Sequence, residues 1–514
     1  MGETAALDAP LSVPSVEAGA VVWHRRQLRV PDQAAVAHAT REYDRLCPLF
    51  VFDPHFYADG IACDSRLRFL HDCLDDLRAQ YRRHGTTLVL AHGDPGSVLG
   101  RFVDAGWDVI ATADPSGRYG DRRDATLQDE LAVDFVADDG IRRVEESRDG
   151  WSDHAERYFE ATPLDPGLGD VDPHGCASDV SVDAVEHRYD VTPQKTRVPT
   201  GGREAALDRV ERFRSRLGSY PESISAPAKA EAGTSRLSPY LRFGCLSLRE
   251  LYQAVETADD GRARELFVSR LYWNRHYTQK LEDWSGWMDH AVNPVFRGFN
   301  LDRHDPALVE AWKAGETGFP MIDASMRCLR ETGWLNFRMR AMCASFFGAI
   351  LRQPWKLGAD WFYHHLIDAD PAINYTQWQQ QAGVTGVNTM RIYNPRKQVR
   401  DNDPEGTFIH EWVPELRPVP PEQLDRPERI PLHLQAEFGV DIGDDYPRPV
   451  VDYEARRQEV VETFSALESR AHEALSDPEI RRRASLSRRG TRSSRDETDA
   501  PSSPTDQTDL SRFG

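Results

Sequence analysis

Short apolar runs alternate with amphipathic stretches through the first 150 positions of the chain. Val21-Val22-Trp23, Pro48-Leu49-Phe50-Val51-Phe52, Thr87-Leu88-Val89-Leu90 and Asp108-Val109-Ile110 have the length of buried strands, and Val133 to Val136 closes the set. Between the second and third runs, Ser65 to Arg82 has helical spacing. Strands separated by helices predict a parallel α/β sheet over residues 19–150. Its strand ends carry Asp53, Gly93 and Asp94, where open sheets of this type hold ligands.

The pattern then changes twice. Residues 1–18 are small, polar and Pro-containing, as in a disordered tail, and residues 151–200 lose periodicity, which predicts an interdomain linker with at most one short helix. From Gly201 the chain is helical: Glu204 to Leu217, Ser247 to Thr257, Gly261 to Leu281, Pro306 to Ala314, Pro320 to Thr332 and Phe337 to Leu351 all repeat apolar positions three and four apart. The fold class is thus an α/β domain followed by an all-α domain over residues 201–479. A last helix, Tyr453 to Leu475, precedes an Arg, Ser, Asp and Thr-rich stretch, 480–514, with the composition of a disordered tail.

A chain of 514 residues is long enough for two cores. No run of eighteen apolar residues occurs, so no membrane span is expected; with neither a basic leader nor an apolar signal core, the expected location is cytoplasmic. Seven scattered cysteines without paired spacing argue against a disulfide framework and against a metal site. The net charge of -20 would repel phosphates unless one face is locally basic. Only six of the 63 basic residues are lysines, an arginine bias that, with abundant Asp, resembles the proteome of a salt-loving archaeon. Molar salt shortens screening to about 3 Å, so global charge there says little about a local groove.

Candidate chemistry concentrates in the helical half, which holds nine of the twelve tryptophans. Indoles in a helical domain are most often core. Between Trp355 and Trp378, however, stand Asp368, Asp370 and Asn374, polar groups suited to a flavin edge, with no Ser/His/Asp arrangement for hydrolysis and with His364 and His365 adjacent rather than at metal-ligand spacing. The segment points to redox or photochemistry. Upstream, Gly233-Thr234-Ser235-Arg236-Leu237-Ser238-Pro239-Tyr240-Leu241-Arg242-Phe243-Gly244 offers three hydroxyls at a helix start, where exposed N–H groups favour an anion.

That stretch resembles the FAD-phosphate segment of the photolyase/cryptochrome family. Val21 to Arg29 is similar to the family's opening strand, with Gln27 where an Asp is usual. Thr317 to Arg327, Thr332 to Arg340, Arg391-Ile392-Tyr393-Asn394-Pro395 and Trp412-Val413-Pro414-Glu415-Leu416 resemble its later motifs in the same order. The resemblance implies an antenna-type α/β domain, a helical domain holding a U-shaped FAD, a damaged-DNA partner and a monomer.

Residue by residue, it implies that Tyr220, Thr234, Ser235, Arg236, Leu237 and Ser238 hold the FAD phosphates. It places Asn274, Trp334 and Phe337 beside the cofactor, Asp368 and Asp370 facing flavin and ribityl, Arg340 pairing Asp368, and Asn374 near flavin N5. Trp378 and Trp355 match the inner and middle members of an electron-transfer chain whose outer position is Asp302, leaving Trp312, Trp361 or Tyr363 as exits. A second chromophore, folate or deazaflavin, is left open.

The lesion pocket departs from the family pattern. Trp273 is kept and can stack on a flipped base, but Arg270 stands for a glutamate, Asn274 for an arginine, Phe337 for an asparagine, Gln380 for a second tryptophan and Ala341 for a methionine. Arg338 and Gln398 occupy family DNA-contact positions. The resemblance leaves two functions: repair of cyclobutane pyrimidine dimers by light-excited reduced FAD, or a cryptochrome-like photoreceptor without repair activity. Asn336-Phe337 lacks the histidine that repair of the (6-4) lesion requires.

Overall fold

The computed structural model describes residues 11–484 except 59, 144–147, 259–260 and 388–390. Five strands, β1 (Ala20–His24), β2 (Leu46–Phe52), β3 (Val89–His92), β4 (Asp108–Thr112) and β5 (Asp134–Val136), form one parallel sheet in the order β3-β2-β1-β4-β5. The expected third run enters the sheet only at Val89, because the Thr87 carbonyl is taken by the His174 ring at 3.1 Å. Every residue of β1 and β2 is buried, as in a sheet covered on both faces. Side chains alternate: Val22, Leu46, Phe50 and Phe52 join the core shared with the first helices of the second domain, whereas Val21, Trp23, Cys47, Leu49 and Val51 pack beneath Pro95–Asp104.

Two of the expected ligand-binding strand ends have structural work instead. Asp94 caps Pro95–Asp104, accepting from Ser97 N–H at 2.9 Å, and Asp53 caps the turn Pro54–Tyr57 through His55 N–H at 2.9 Å. At the point where strand order reverses, between β1 and β4, Arg25 lies between the Trp23 and Phe135 rings, each 5.1 Å from its guanidinium, and pairs with Asp124 at 2.5 Å.

The helical domain packs Pro306–Ala314, Pro320–Thr332, Phe337–Ser345, Trp355–His365 and Pro371–Gln381 around fully buried Trp312, Met321, Ile322, Met342, Phe346 and Phe347. The helix expected to run to Leu351 is α-helical only to Ser345 and then widens into a π turn, Phe346–Ile350. Gly348 in that turn lies against Ala382, whose Cβ would sit 2.8 Å from an added Cβ.

Three expected boundaries are corrected. Residues 11–18, read as tail, are packed: Leu11 is buried and Ser12 bridges antiparallel to Ala177, while 1–10 lie outside the described residues. The expected linker contains two helices, Trp151–Glu160 and Val182–Arg188, because Trp151 and Phe159 are apolar enough to bury completely against the core. The chain also remains folded past 480: Pro478–Arg483 is helical, and Trp287 Nε1 donates to the Arg483 carbonyl at 3.0 Å; residues 485–514 lie outside the described residues.

The loop leaving β1 docks on the second domain. Leu28 N–H donates to Phe243 O at 3.0 Å and Arg29 Nη1 to Gly244 O at 2.9 Å. Gly244 has φ +64, and any Cβ there would meet Arg26 O and Gln27 Cα at 2.6 Å, so only glycine permits the approach.

Candidate functional site

Asp370 is the meeting point. Pro371 sets the first helical φ of Pro371–Gln381, and the Asp370 carboxylate caps that helix by accepting from Ile373 N–H at 3.2 Å. Arg26, from the loop after β1, donates to its second oxygen at 2.7 Å. Arg242 secures the preceding turn through the Ala369 carbonyl at 2.7 Å. Burial pushes the Asp370 carboxyl upward, but the attraction of Arg26 and then Arg242 outweighs it and holds the group below the ordinary carboxylate range, hence ionised.

Two residues earlier, both Asp368 oxygens accept from the single Arg340 Nη2, at 2.9 and 3.1 Å, while Arg340 Nε donates to Leu335 O at 2.7 Å. One turn into the following helix, Asn374 is 8% exposed and its Nδ2 donates to Ala359 O at 2.9 Å, which fixes the amide. A further turn on, Trp378 is buried edge-on to Phe362 at 5.2 Å, Phe347 at 5.9 Å and Trp312 at 6.0 Å. Its seat depends on Gly358, where a Cβ would come within 2.4 Å of the indole. Trp355 is buried at the start of the same helix as Gly358. Asp302 lies on the exposed turn Leu301–Arg303; of the three expected exits, Trp312 touches Trp378, Trp361 lies under Lys313 at 5.0 Å, and Tyr363 lies under Arg66 at 4.9 Å.

The second cluster is less uniform. Thr234 hydroxyl donates back to Ala230 O at 2.7 Å, Ser235 Oγ accepts from Leu237 N–H at 3.4 Å, and Ser238 is exposed at the start of Ser238–Arg242. Leu237 is buried. Arg236, at φ +52, turns inward to stack on Trp334 at 4.1 Å and to pair with Glu231 at 3.3 Å. Tyr220 is packed against Phe213 and Phe267 with its hydroxyl bonded to Arg270, which places its polar tip in the neighbouring pocket.

That pocket is built on Gly261–Asp283. Trp273 and Tyr277, one turn apart, stack at 5.4 Å and 27°, Arg270 lies a turn before them, and Gln377 bonds the Tyr277 hydroxyl. Asn274 Oδ1 accepts from Arg275 at 2.8 Å. Ala341 is buried, Gln380 is half-buried and Phe337 is 42% exposed. Arg338 Nε donates to Ser225 Oγ at 3.2 Å, and Gln398, which is buried, accepts from Asn402 at 2.9 Å.

Sequence reasoning missed Arg26, Arg242, Tyr277 and Gln377. Arg26 and Arg242 lie inside the two motifs already singled out, but their partners are 344 and 127 positions away; Tyr277 had the i+4 spacing from Trp273 as its signal.

The model of the family described as "DNA photolyase" matches residues 20–141, and that described as "FAD binding domain of DNA photolyase" matches residues 267–466. A deoxyribodipyrimidine photo-lyase of Halobacterium salinarum is 30% identical over 483 residues, covering 86% of this chain and 98% of its own. The chain belongs to the photolyase/cryptochrome family. A cryptochrome DASH of Natronomonas pharaonis is likewise 30% identical, over 85% of this chain and 99% of its own. Among solved structures, a class III photolyase from Agrobacterium tumefaciens superposes with a TM-score of 0.75 at 25% identity, covering 90% of this chain and 99% of its own. The cryptochrome of Synechocystis shares the fold at a TM-score of 0.77 and 22% identity.

FAD is the cofactor of the photolyase/cryptochrome helical domain, and the residues here fit it. Two carboxylates kept in place by arginines and one fixed carboxamide form a polar edge beside buried indoles, and the 234–238 loop adds hydroxyls. Among the described residues no helix is long and apolar enough to cross a membrane.

Proposed function

We propose that the protein is a light-driven repair enzyme for cyclobutane pyrimidine dimers in DNA. The observation that carries this reading is Asn374, a buried carboxamide tied to Ala359 O one helical turn before Trp378. A neutral amide has no acidic proton to give, so that position favours a fully reduced, anionic flavin over a protonated one. Bound reduced FAD supplies the excited electron that splits the dimer and takes it back.

The chain's own residues hold the reactants. Arg340 holds Asp368 in place, and Arg26 positions Asp370 and keeps it an ionised acceptor in a buried site. Trp273, backed by the buried Tyr277 ring stacked on it, offers a face for a flipped pyrimidine, worth about 1–3 kcal/mol per stacked base. Arg270, a turn before Trp273, and Gln377, bonded to the Tyr277 hydroxyl, bring donors beside that ring, and Arg338 and Gln398 are assigned to DNA contacts. Trp378 and Trp355 deliver electrons that restore the reduced cofactor.

A second reading, a flavin photoreceptor without a DNA substrate, is favoured by one observation. Arg270 is bonded to the buried Tyr220 hydroxyl, where a repair pocket carries an acidic group. A repair assay separates the two. The FAD-loaded, reduced protein is illuminated with a thymine-dimer oligonucleotide at molar salt. Loss of dimer in light but not in darkness is expected, and Trp273→Ala should weaken lesion binding roughly 10- to 100-fold. Intact dimer after illumination of protein with demonstrably reduced FAD would establish the receptor reading instead.

A further inference from the structure

On the sheet face turned away from the flavin site, Cys47, His174 and Cys176 bring their side-chain Sγ and ring nitrogen atoms within 4.8 Å of one another. Such a cluster would suit zinc or copper only with an available imidazole nitrogen. His174 has both committed: Nδ1 accepts the Cys176 N–H at 3.0 Å, and Nε2 meets the Thr87 carbonyl at 3.1 Å. Two adjacent sulfurs remain.

We propose that Cys176 and Cys47 are a peroxide-responsive thiol pair, Cys176 reacting first and Cys47 then closing a disulfide. Cys176 lies in the loop before Val182–Arg188 and keeps 8% of its surface exposed, whereas Cys47 on β2 has none, so an oxidant arriving from solvent meets Cys176. The adjacent Cys47 thiol, opposed by burial, brings the Cys176 thiol down to about 6, and burial holds Cys47 up as the protonated partner. A thiolate beside a thiol is the arrangement of a reacting and a resolving cysteine.

The chemistry balances with hydrogen peroxide as oxidant. The Cys176 thiolate attacks one peroxide oxygen, the O–O bond breaks, and sulfenic acid and hydroxide form. Cys47 then attacks the sulfenic sulfur, forming the S–S bond and releasing water. The crosslink would tie β2 to the loop whose Ala177 pairs with Ser12.

Proximity alone predicts a different pair. Cys73 and Cys245 have sulfurs 3.3 Å apart, but neither is exposed, burial pushes the Cys73 thiol up, and its sulfur also accepts Gly202 N–H at 3.2 Å. They should stay reduced.

The FAD-loaded, full-length protein is treated with a few equivalents of hydrogen peroxide, unfolded, alkylated and weighed. Two fewer alkylated thiols than the seven of the reduced protein are expected, with one tryptic crosslink joining the Cys47 and Cys176 peptides. Cys176→Ser should abolish the crosslink and Cys245→Ser should keep it. Cys47→Ser should stop at a sulfenic acid that dimedone traps on Cys176. All seven thiols alkylated after peroxide, a Cys73–Cys245 crosslink in its place, or one equivalent of zinc shielding Cys47 and Cys176 until a chelator is added would each overturn the proposal; the wild-type readout does not depend on any variant folding.

Discussion

Arg26 and Asp370, 344 positions apart, form a 2.7 Å ion pair across the junction of the two domains. One loop of the α/β sheet thereby sets the charge state of a carboxylate that caps a flavin-site helix. Removing one partner of a buried pair leaves the other charge uncompensated, at a cost of about 3–5 kcal/mol. Arg242 remains near Asp370, so Arg26→Gln should cost roughly 3 kcal/mol at pH 7. Because the folded carboxyl titrates below its ordinary value, its contribution is complete above about pH 4 and is lost as pH falls through the lower folded value. Thermal unfolding of wild type and variant should therefore differ by several degrees at pH 7 and converge below about pH 4. Equal midpoints at neutral pH would remove Arg26 from this role.

His24, at the end of β1, has the same direction of pH dependence in a higher window. Burial, against a hydrogen bond with Gln27 O, lowers its ring to about 4, and Nε2 meets the Tyr81 hydroxyl at 2.6 Å. The folded protein then holds this ring neutral where the unfolded chain binds a proton. Stability from His24 is complete above about pH 6.5, declines as pH falls from there to about 4, and changes no further below; the span is worth about 3 kcal/mol. His24→Gln should flatten that part of the stability profile in urea titrations at fixed pH. A wild-type slope retained in the variant would assign the effect to other histidines.

Gly358→Ala should loosen Trp378. The added methyl would lie 2.4 Å from the indole and 3.0 Å from Phe347, in a core with nowhere to move cheaply. Overpacking of this kind costs about 1–3 kcal/mol. A lower unfolding temperature together with altered tryptophan fluorescence is expected; a midpoint unchanged within error would show that the helix can shift without loss.

Electron delivery can be divided by substitution. Trp378→Phe should slow blue-light reduction of bound FAD at least tenfold. Trp312 is fully buried 6.0 Å from Trp378, so Trp355→Phe should leave a residual rate that Trp312→Phe then removes. If the Trp355→Phe/Trp312→Phe pair still reduces flavin at the single-variant rate, Trp361 or Tyr363 carries the electron.

Much of the architecture was legible because local rules govern it. Apolar runs of strand length and period-3.6 stretches located the five strands and the helices Pro306–Ala314 and Pro320–Thr332 within a residue or two. The segment 151–200 misled because its two helices are short and largely polar, and a few apolar side chains, Trp151 and Phe159 on the first and Val182 and Val185 on the second, reveal that they cover a core.

Asp368, Asp370, Asn374 and Trp378 were visible as one segment because a single helix, its cap and the turn before it carry them. The sequence by itself determined these residues and the order of the motifs, since propensity, capping and periodicity act between neighbours. Tertiary structure decided the rest: that Arg26 keeps Asp370 charged, that Trp312 rather than the exposed Asp302 adjoins Trp378, and that Cys47 meets Cys176. Those pairings join segments tens to hundreds of positions apart, and such contacts are fixed by how whole elements pack, which no local pattern records.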